Sequence, residues 1–393
     1  MGACNVELNQ IIEKLELRTN RLISFLPERK RLFFDDLEKK FQNRAILLYG
    51  PRGVGKTTFL LFMAKKRNLF YISGDDPLLL SYSLRDLIEK ILMNYPGIII
   101  DEVHSLPNWD VVLKTIYDSF PNKIIWVSDS SSVILKKSII DLSRRFVLIK
   151  LPLMSLREYI HFETGKVIGK LQFPSEDFLN YAAEVVKQVD VLNYFKDYRQ
   201  KGTRPFYIEG NFKEKMMNIL EKTLYYDIPH FVDTVSDNHF GVMRAMISHL
   251  LYSKIPTVNI ESMCKEWSTG KPKLYQLLRA MGEVNIINIV WKEKTERPYS
   301  KGSKIFFADP AFYYVFEGEI GNFREAFSVF ALKEKGKIWA AKNEQDGDFV
   351  FEGMKLEIGG KKKSSKSSDF VLRDDIDLPL RNVIPLWILG MLW

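Results

Sequence analysis

Cysteine is scarce in this chain: Cys4 and Cys264 are the only two in 393 residues, and neither belongs to a C-x-x-C pair. That excludes a disulfide-stapled scaffold and a readable zinc site, and makes a reducing, cytoplasmic setting the expectation. Long apolar runs are also missing. Nothing approaches the ~20 residues that span a bilayer, and the apolar end "IPLWILGMLW" is short enough to read as a buried strand or helix end. The start, "MGACNVELNQ", has no apolar core of a secretory signal. Met-Gly-Ala-Cys resembles an acylation start, but Val6 stands where that signal wants serine or threonine. No membrane is therefore expected as a partner. Acidic residues are outnumbered, 49 Asp and Glu against 57 Lys and Arg, for a net charge of +8. That balance favours an anionic partner such as nucleic acid.

The sharpest pattern present is "LLYGPRGVGKTT". Gly50, Pro51, Arg52, Gly53, Val54, Gly55, Lys56 and Thr57 read G-x-x-x-x-G-K-T, and Thr58 follows. An apolar run of strand length, Ala45 to Tyr49, precedes the motif, and "TTFLLFMAKK" has helical spacing after it. Strand, glycine loop and helix are the context a phosphate-binding loop needs. The glycines let backbone N–H groups turn toward phosphate oxygens, and the helix N-terminus adds partial positive charge. Lys56 would reach the β- and γ-phosphates of ATP, and Thr57 would hold Mg²⁺.

A second apolar run ends in acids, "GIIIDEVHSLPNWD". Ile98 to Ile100 read as a strand buried on both faces. Asp101 then falls at its carboxyl end, where open parallel sheets bind ligands, as a Walker B aspartate for Mg²⁺. Glu102 is placed to act on an attacking water; adjacent strand residues face opposite sides and so divide the two jobs. "KIIWVSDSSS" reads as another strand with a polar end. Ser128 and Ser130 are candidates for sensing the γ-phosphate, or for capping the next helix. Arg144 and Arg145 precede a fifth strand. They suit either an arginine finger for a neighbouring subunit or a charge kept within the chain.

"YGPRGVGKTT", "IIIDEVHSLPNWD", "WVSDSSS" and "LPLMSLREYI" occur in this order. Together they resemble an AAA-type P-loop ATPase family of bacteria and archaea, over at least Arg44 to Ile160. Family members typically carry a second arginine where Gly53 stands, a glycine at Asp129 and a small residue at Arg144, while Arg145 matches. The resemblance implies an ATP hydrolase with a helical lid, in which Arg204 of "YRQKGTRPF" could approach the phosphates or lie in a solvent-facing turn.

Beyond the lid the pattern changes. "FGVMRAMISHLLYSK", "NIESMCKEW" and "GKPKLYQLLRAMGEVNII" read as three helices, and "INIVWKEKTERPYSKGSKIFFADP" as two strands around a charged tip. That is the winged-helix order. Lys271, Lys273 and Arg279 on the third helix, with Lys301 and Lys304 in the wing, are candidates for DNA phosphates, and Tyr275 for a groove. Protein contact is the alternative use of such a module. In the last segment Glu325, Asp348 and Glu357 resemble the metal-binding acids of a PD-(D/E)xK nuclease. Gly359 stands where that motif needs lysine, with Lys361 to Lys363 offset, so a degenerate, non-cutting fold is expected.

The expected fold class is α/β, a P-loop AAA-type parallel-sheet core with helical lid, winged helix and a small nuclease-like domain. The expected divisions are 1–40, an N-terminal helical segment; 41–153, the core; 154–235, the lid; 236–315, the winged helix; and 316–393. A homo-oligomer, such as a ring, is expected, since a finger in trans splits the site between chains. Besides a DNA-coupled ATPase, a nucleotide-switched scaffold acting on a protein and an ATP-regulated nuclease remain open.

Overall fold

The computed structural model describes residues 2–129, 142, 144–174, 177–230, 235–254, 257–293, 302–343, 347–360 and 367–393. Ser130, Lys301 and Lys361 to Lys363 lie outside them. The chain divides into two compact units, Met1–Pro152 and Leu153–Trp393.

The first unit is built on five parallel strands: β1 (Ala45–Tyr49), β2 (Phe70–Ser73), β3 (Gly97–Asp101), β4 (Ile124–Asp129) and β5 (Val147–Lys150). Their order across the sheet is β2-β3-β4-β1-β5. Its helices are α1 (Gly2–Ser24), α2 (Phe33–Lys40), α3 (Lys56–Arg67), α4 (Leu84–Asn94) and α5 (Trp109–Ser119). Every residue of β3 is buried, as expected for a strand covered on both faces. Each of its isoleucines contributes about 1.5–3 kcal/mol by leaving water. That anchors the strand whose last residue is Asp101. Helix α4 buries Leu84, Leu87, Ile88, Ile91 and Leu92 at helical spacing, and Ser83 caps it by accepting from Asp86 N–H. Ile11 and Leu15 of α1 belong to the same core. The N-terminal helix is thus part of this unit.

In the second unit the helices are α6 (Leu156–Thr164), α7 (Phe178–Gln188), α8 (Val191–Lys201), α9 (Phe212–Lys222), α10 (Asp237–Tyr252), α11 (Ile260–Glu266), α12 (Lys271–Glu283), α13 (Ala311–Val315) and α14 (Ile320–Lys333). An antiparallel pair, β6 (Ile287–Val290) and β7 (Lys304–Phe307), follows α12. A mixed sheet ends the unit: β8 (Ile338–Ala340), β9 (Phe349–Phe351), β10 (Met354–Gly359), β11 (Phe370–Arg373) and β12 (Val383–Pro385), in the order β12-β11-β10-β9-β8.

Residues from the segments expected as lid, winged helix and terminal domain lie in one compact unit and touch one another. Phe195 of α8 packs on Phe327 of α14 with ring centroids 5.1 Å apart. Asn322 donates to the carbonyls of Leu250 and Ser253 at 3.1 and 2.7 Å, tying α14 to the end of α10. The apolar chain end, Leu386–Met391, is a fully buried 3-10 turn. The Trp393 carbonyl accepts from Ser155 Oγ and Arg157 Nε, each at 2.9 Å.

Arg204 is a correction to expectation. Its guanidinium does not face solvent; it is buried against Asp309, which also accepts from Thr203 Oγ1 at 3.2 Å. Burial lowers the Arg204 pKa and Asp309 opposes that shift. Removing one partner strands the other charge out of water. Asp309→Ala should therefore destabilise the second unit by about 3–5 kcal/mol, while Asp309→Leu with Arg204→Met should cost far less. Urea unfolding of the full chain, followed by near-UV circular dichroism, measures both.

Candidate nucleotide site at the carboxyl edge of the parallel sheet

β1 is followed by Gly50, where a Cβ would lie 2.3 Å from the Leu151 carbonyl oxygen, so only glycine lets the chain leave the sheet there. Gly53 and Gly55 hold φ of 76° and 94°, in the left-handed region that favours glycine. The loop feeds into α3, whose first residue is Lys56. The Lys56 ammonium is buried and donates to the carbonyls of Gly50 and Pro51 at 2.9 and 3.1 Å. Burial pushes its pKa down, while the carboxylates of Glu102, Asp101 and Asp129 pull it up. Arg31, from the segment before α2, is also buried and donates to the carbonyls of Val54 and Pro152 at 2.8 and 2.9 Å. It therefore clamps the loop from the N-terminal side.

Asp101 is the meeting point of these elements. Its Oδ2 accepts from Thr57 Oγ1 at 2.6 Å and from Tyr71 OH at 3.0 Å. Its Oδ1 accepts from Ser128 Oγ and from Glu102 N–H, the latter at 3.1 Å. Burial and the neighbouring Asp101 raise the Tyr71 pKa, so its hydroxyl stays a donor. Thr57 and Asp101 thus bring a hydroxyl and a carboxylate together, a hard-oxygen pair suited to Mg²⁺.

Glu102 takes φ 48°, an uncommon conformation for a non-glycine residue. Its carbonyl leans over Gly74, where a Cβ would sit 2.5 Å away. Burial raises the Glu102 pKa, Lys56 pulls it down, and Asp101 and Asp129 add to the rise. His104 Nδ1 lies 3.1 Å from Asp129 Oδ2 and 3.6 Å from Glu102 Oε2. Burial opposes a charged ring, but the hydrogen bond to Asp129 and the charges of Asp129 and Glu102 outweigh it, so the His104 pKa is raised. Among the described residues these three form the one His/Cys/Asp/Glu group close enough to share a metal ion. The His104 ring thus lies within reach of both carboxylates at the edge of the nucleotide site.

Residues 42–160 match a family model described as an AAA domain. This segment is similar to AAA domains. Among solved structures, the Walker-type ATPase PABY2304 of Pyrococcus abyssi matches with 16% identity and a TM-score of 0.41, over 73% of this chain and 95% of that one. The RuvB Holliday junction branch migration motor of Thermotoga maritima matches with 12% identity and a TM-score of 0.31, over 77% and 95%. No curated protein matches the chain. Among the described residues, no helix is long and apolar enough to cross a membrane.

The segment brings Lys56, Thr57, Asp101, Glu102 and Ser128 together. Ser128 is buried and its hydroxyl donates to Asp101, which helps orient that carboxylate. Arg145 pairs with Asp118 through Nε at 3.0 Å and Nη2 at 2.8 Å, and Arg144 is exposed. Val147 lies opposite Ile46, which puts Arg145 at the amino edge of the sheet. The loop leaves the opposite edge, about 17 Å away along a five-residue strand. Arg145 therefore cannot serve its own chain's loop.

Sequence reasoning missed Arg31, Tyr71 and His104, and noted Asp129 only as a departure from the family pattern. His104 had a signal, its place three residues after Asp101; Arg31 and Tyr71 had none, since their partners are distant in sequence.

The His104 pairing makes a pH-dependent contribution. The folded-state pKa lies above the ordinary 6.5. The pairing therefore stabilises fully below 6.5 and is lost as pH rises through the higher folded value. An NMR titration of His104 should show a midpoint above 6.5, and Asp129→Asn should move it down.

Proposed function

We propose that the chain is a Mg²⁺-dependent ATP hydrolase whose output is delivered to DNA. The observation that carries the hydrolase reading is the 2.6 Å approach of Thr57 Oγ1 to Asp101 Oδ2, with Lys56 and Glu102 beside it. Thr57 and Asp101 would hold Mg²⁺, which when bound neutralises charge on the phosphates. The loop amides and Lys56 would bind the β- and γ-phosphates, Lys56 leaving its carbonyl partners to do so. Glu102, with a pKa raised by burial, would orient the attacking water and take its proton. Phosphoryl transfer needs such positioning and charge neutralisation more than covalent chemistry. Arg145 would act in a homo-oligomer, on a neighbouring chain, after releasing Asp118.

Support for DNA comes from α12. It follows α10 and α11 and precedes the β6–β7 hairpin, the winged-helix order. Lys271, Tyr275 and Arg279 recur every four residues on its exposed stripe, while Lys273, half-buried, lies on another face of the helix. Lys271 lies 3.2 Å from Glu261, an exposed pair that phosphate can displace. The nucleotide-switched scaffold is the second reading. It is favoured by one observation: Lys304 is withdrawn from the hairpin surface into contact with two acids, which weakens the basic wing.

Glu102→Gln should keep ATP binding and lower hydrolysis by about 10²–10⁴-fold, the usual contribution of a general base. Lys56→Ala should lose binding itself. Fluorescent-nucleotide titration and phosphate release measure the two; near-normal turnover in Glu102→Gln removes Glu102 from the mechanism.

DNA affinity should fall with salt by about 0.9 log units per log unit for each phosphate contacted. Lys273→Ala with Arg279→Ala should flatten that slope by about one to two units. A parent slope near zero favours the scaffold reading.

A further inference from the structure

Lys304 opens β7 and was expected in a solvent-facing wing. Its ammonium is instead largely withdrawn from water. Nζ lies 2.6 Å from Glu325 Oε2 on α14 and 3.1 Å from Asp348 Oδ1, just before β9. The Phe349 ring centroid is 4.6 Å from the same nitrogen, so the negative face of the ring adds a third attraction. Asp348 is held from its other side: Oδ2 accepts from Ile358 N–H of β10 at 2.8 Å. Burial disfavours the ammonium, yet the charges of Glu325 and Asp348 and their hydrogen bonds raise its pKa, so the cation is stable where it sits.

Two carboxylates converging from a helix and a strand end offer oxygen ligands of the kind a divalent cation takes. Here the space between them holds a charge supplied by the chain itself. Glu325, Asp348 and the buried Glu357 do not converge as a three-ligand group, whereas Glu102, His104 and Asp129 do. We propose that Lys304 is the resident cation of the Glu325–Asp348 pocket and keeps divalent metal ions out of it. The ammonium has no vacant coordination position, so it activates no water. It ties the hairpin to α14 and the mixed sheet instead. Nothing in this pocket depends on the nucleotide site.

Manganese binding to the nucleotide-free full chain, counted by electron paramagnetic resonance, tests this. The parent protein, Asp348→Asn and Glu325→Gln should bind the same number of Mn²⁺ ions. Lys304→Met should gain one ion per chain and lose it again when Asp348→Asn is added. The proposal is overturned if either acid variant binds one ion fewer than the parent. It is also overturned if a Lys304→Met protein with the parent's circular dichroism gains no ion, or keeps the gained ion after Asp348→Asn. Should Lys304→Met fail to fold, the comparison of the parent with the two acid variants decides alone, equal counts supporting the proposal.

Discussion

The candidate site depends on how one carboxylate is held. Asp101 closes a fully buried strand, and four donors from four places in the chain fix it: the Thr57 hydroxyl, the Tyr71 hydroxyl, the Ser128 hydroxyl and the Glu102 amide. A buried carboxylate without such partners costs far more than the fold can spare. With them it is a rigid fork whose Oδ2 edge faces the loop helix. The positive φ of Glu102 follows directly after it and turns the next side chain toward Lys56 and His104. Gly74 makes room for that turn.

Around this fork the same rule recurs. Charges that leave water do so with a polar or charged partner. Lys56 rests on loop carbonyls, Arg31 on two further carbonyls and His104 on Asp129. In the second unit Arg204 is buried against Asp309, and Lys304 between Glu325 and Asp348. Such pairs add little net stability over apolar packing, but breaking one is costly. They therefore act as registers that make the surrounding elements choose one arrangement. The register role is clearest for Arg204, which comes from a turn before α9 and meets an acid 105 residues later.

Much of the core fold was legible from local pattern. The run Ala45 to Tyr49, the glycine loop and the helix after it are neighbours in sequence, and their chemistry is local: glycines for left-handed φ, apolar residues for a buried strand. Ile98 to Ile100 followed by two acids could be read the same way. The hairpin after α12 was legible from its two apolar runs. Lys304 was not. As a lysine beside a polar tip it has the sequence signature of a solvated charge, and nothing local distinguishes that from a buried ion pair with acids 21 and 44 residues away.

Sequence alone thus determined where the phosphate loop and the acidic strand end lie, because each is a short motif whose backbone geometry is encoded by adjacent residues. Only the tertiary structure decided what each charge faces. The direction of Lys304, Arg204 and Arg145 is set by which acids the packing brings within ion-pair distance. That in turn depends on strand order and helix placement. Residue type says a charge must find a partner when buried, and the fold says which one.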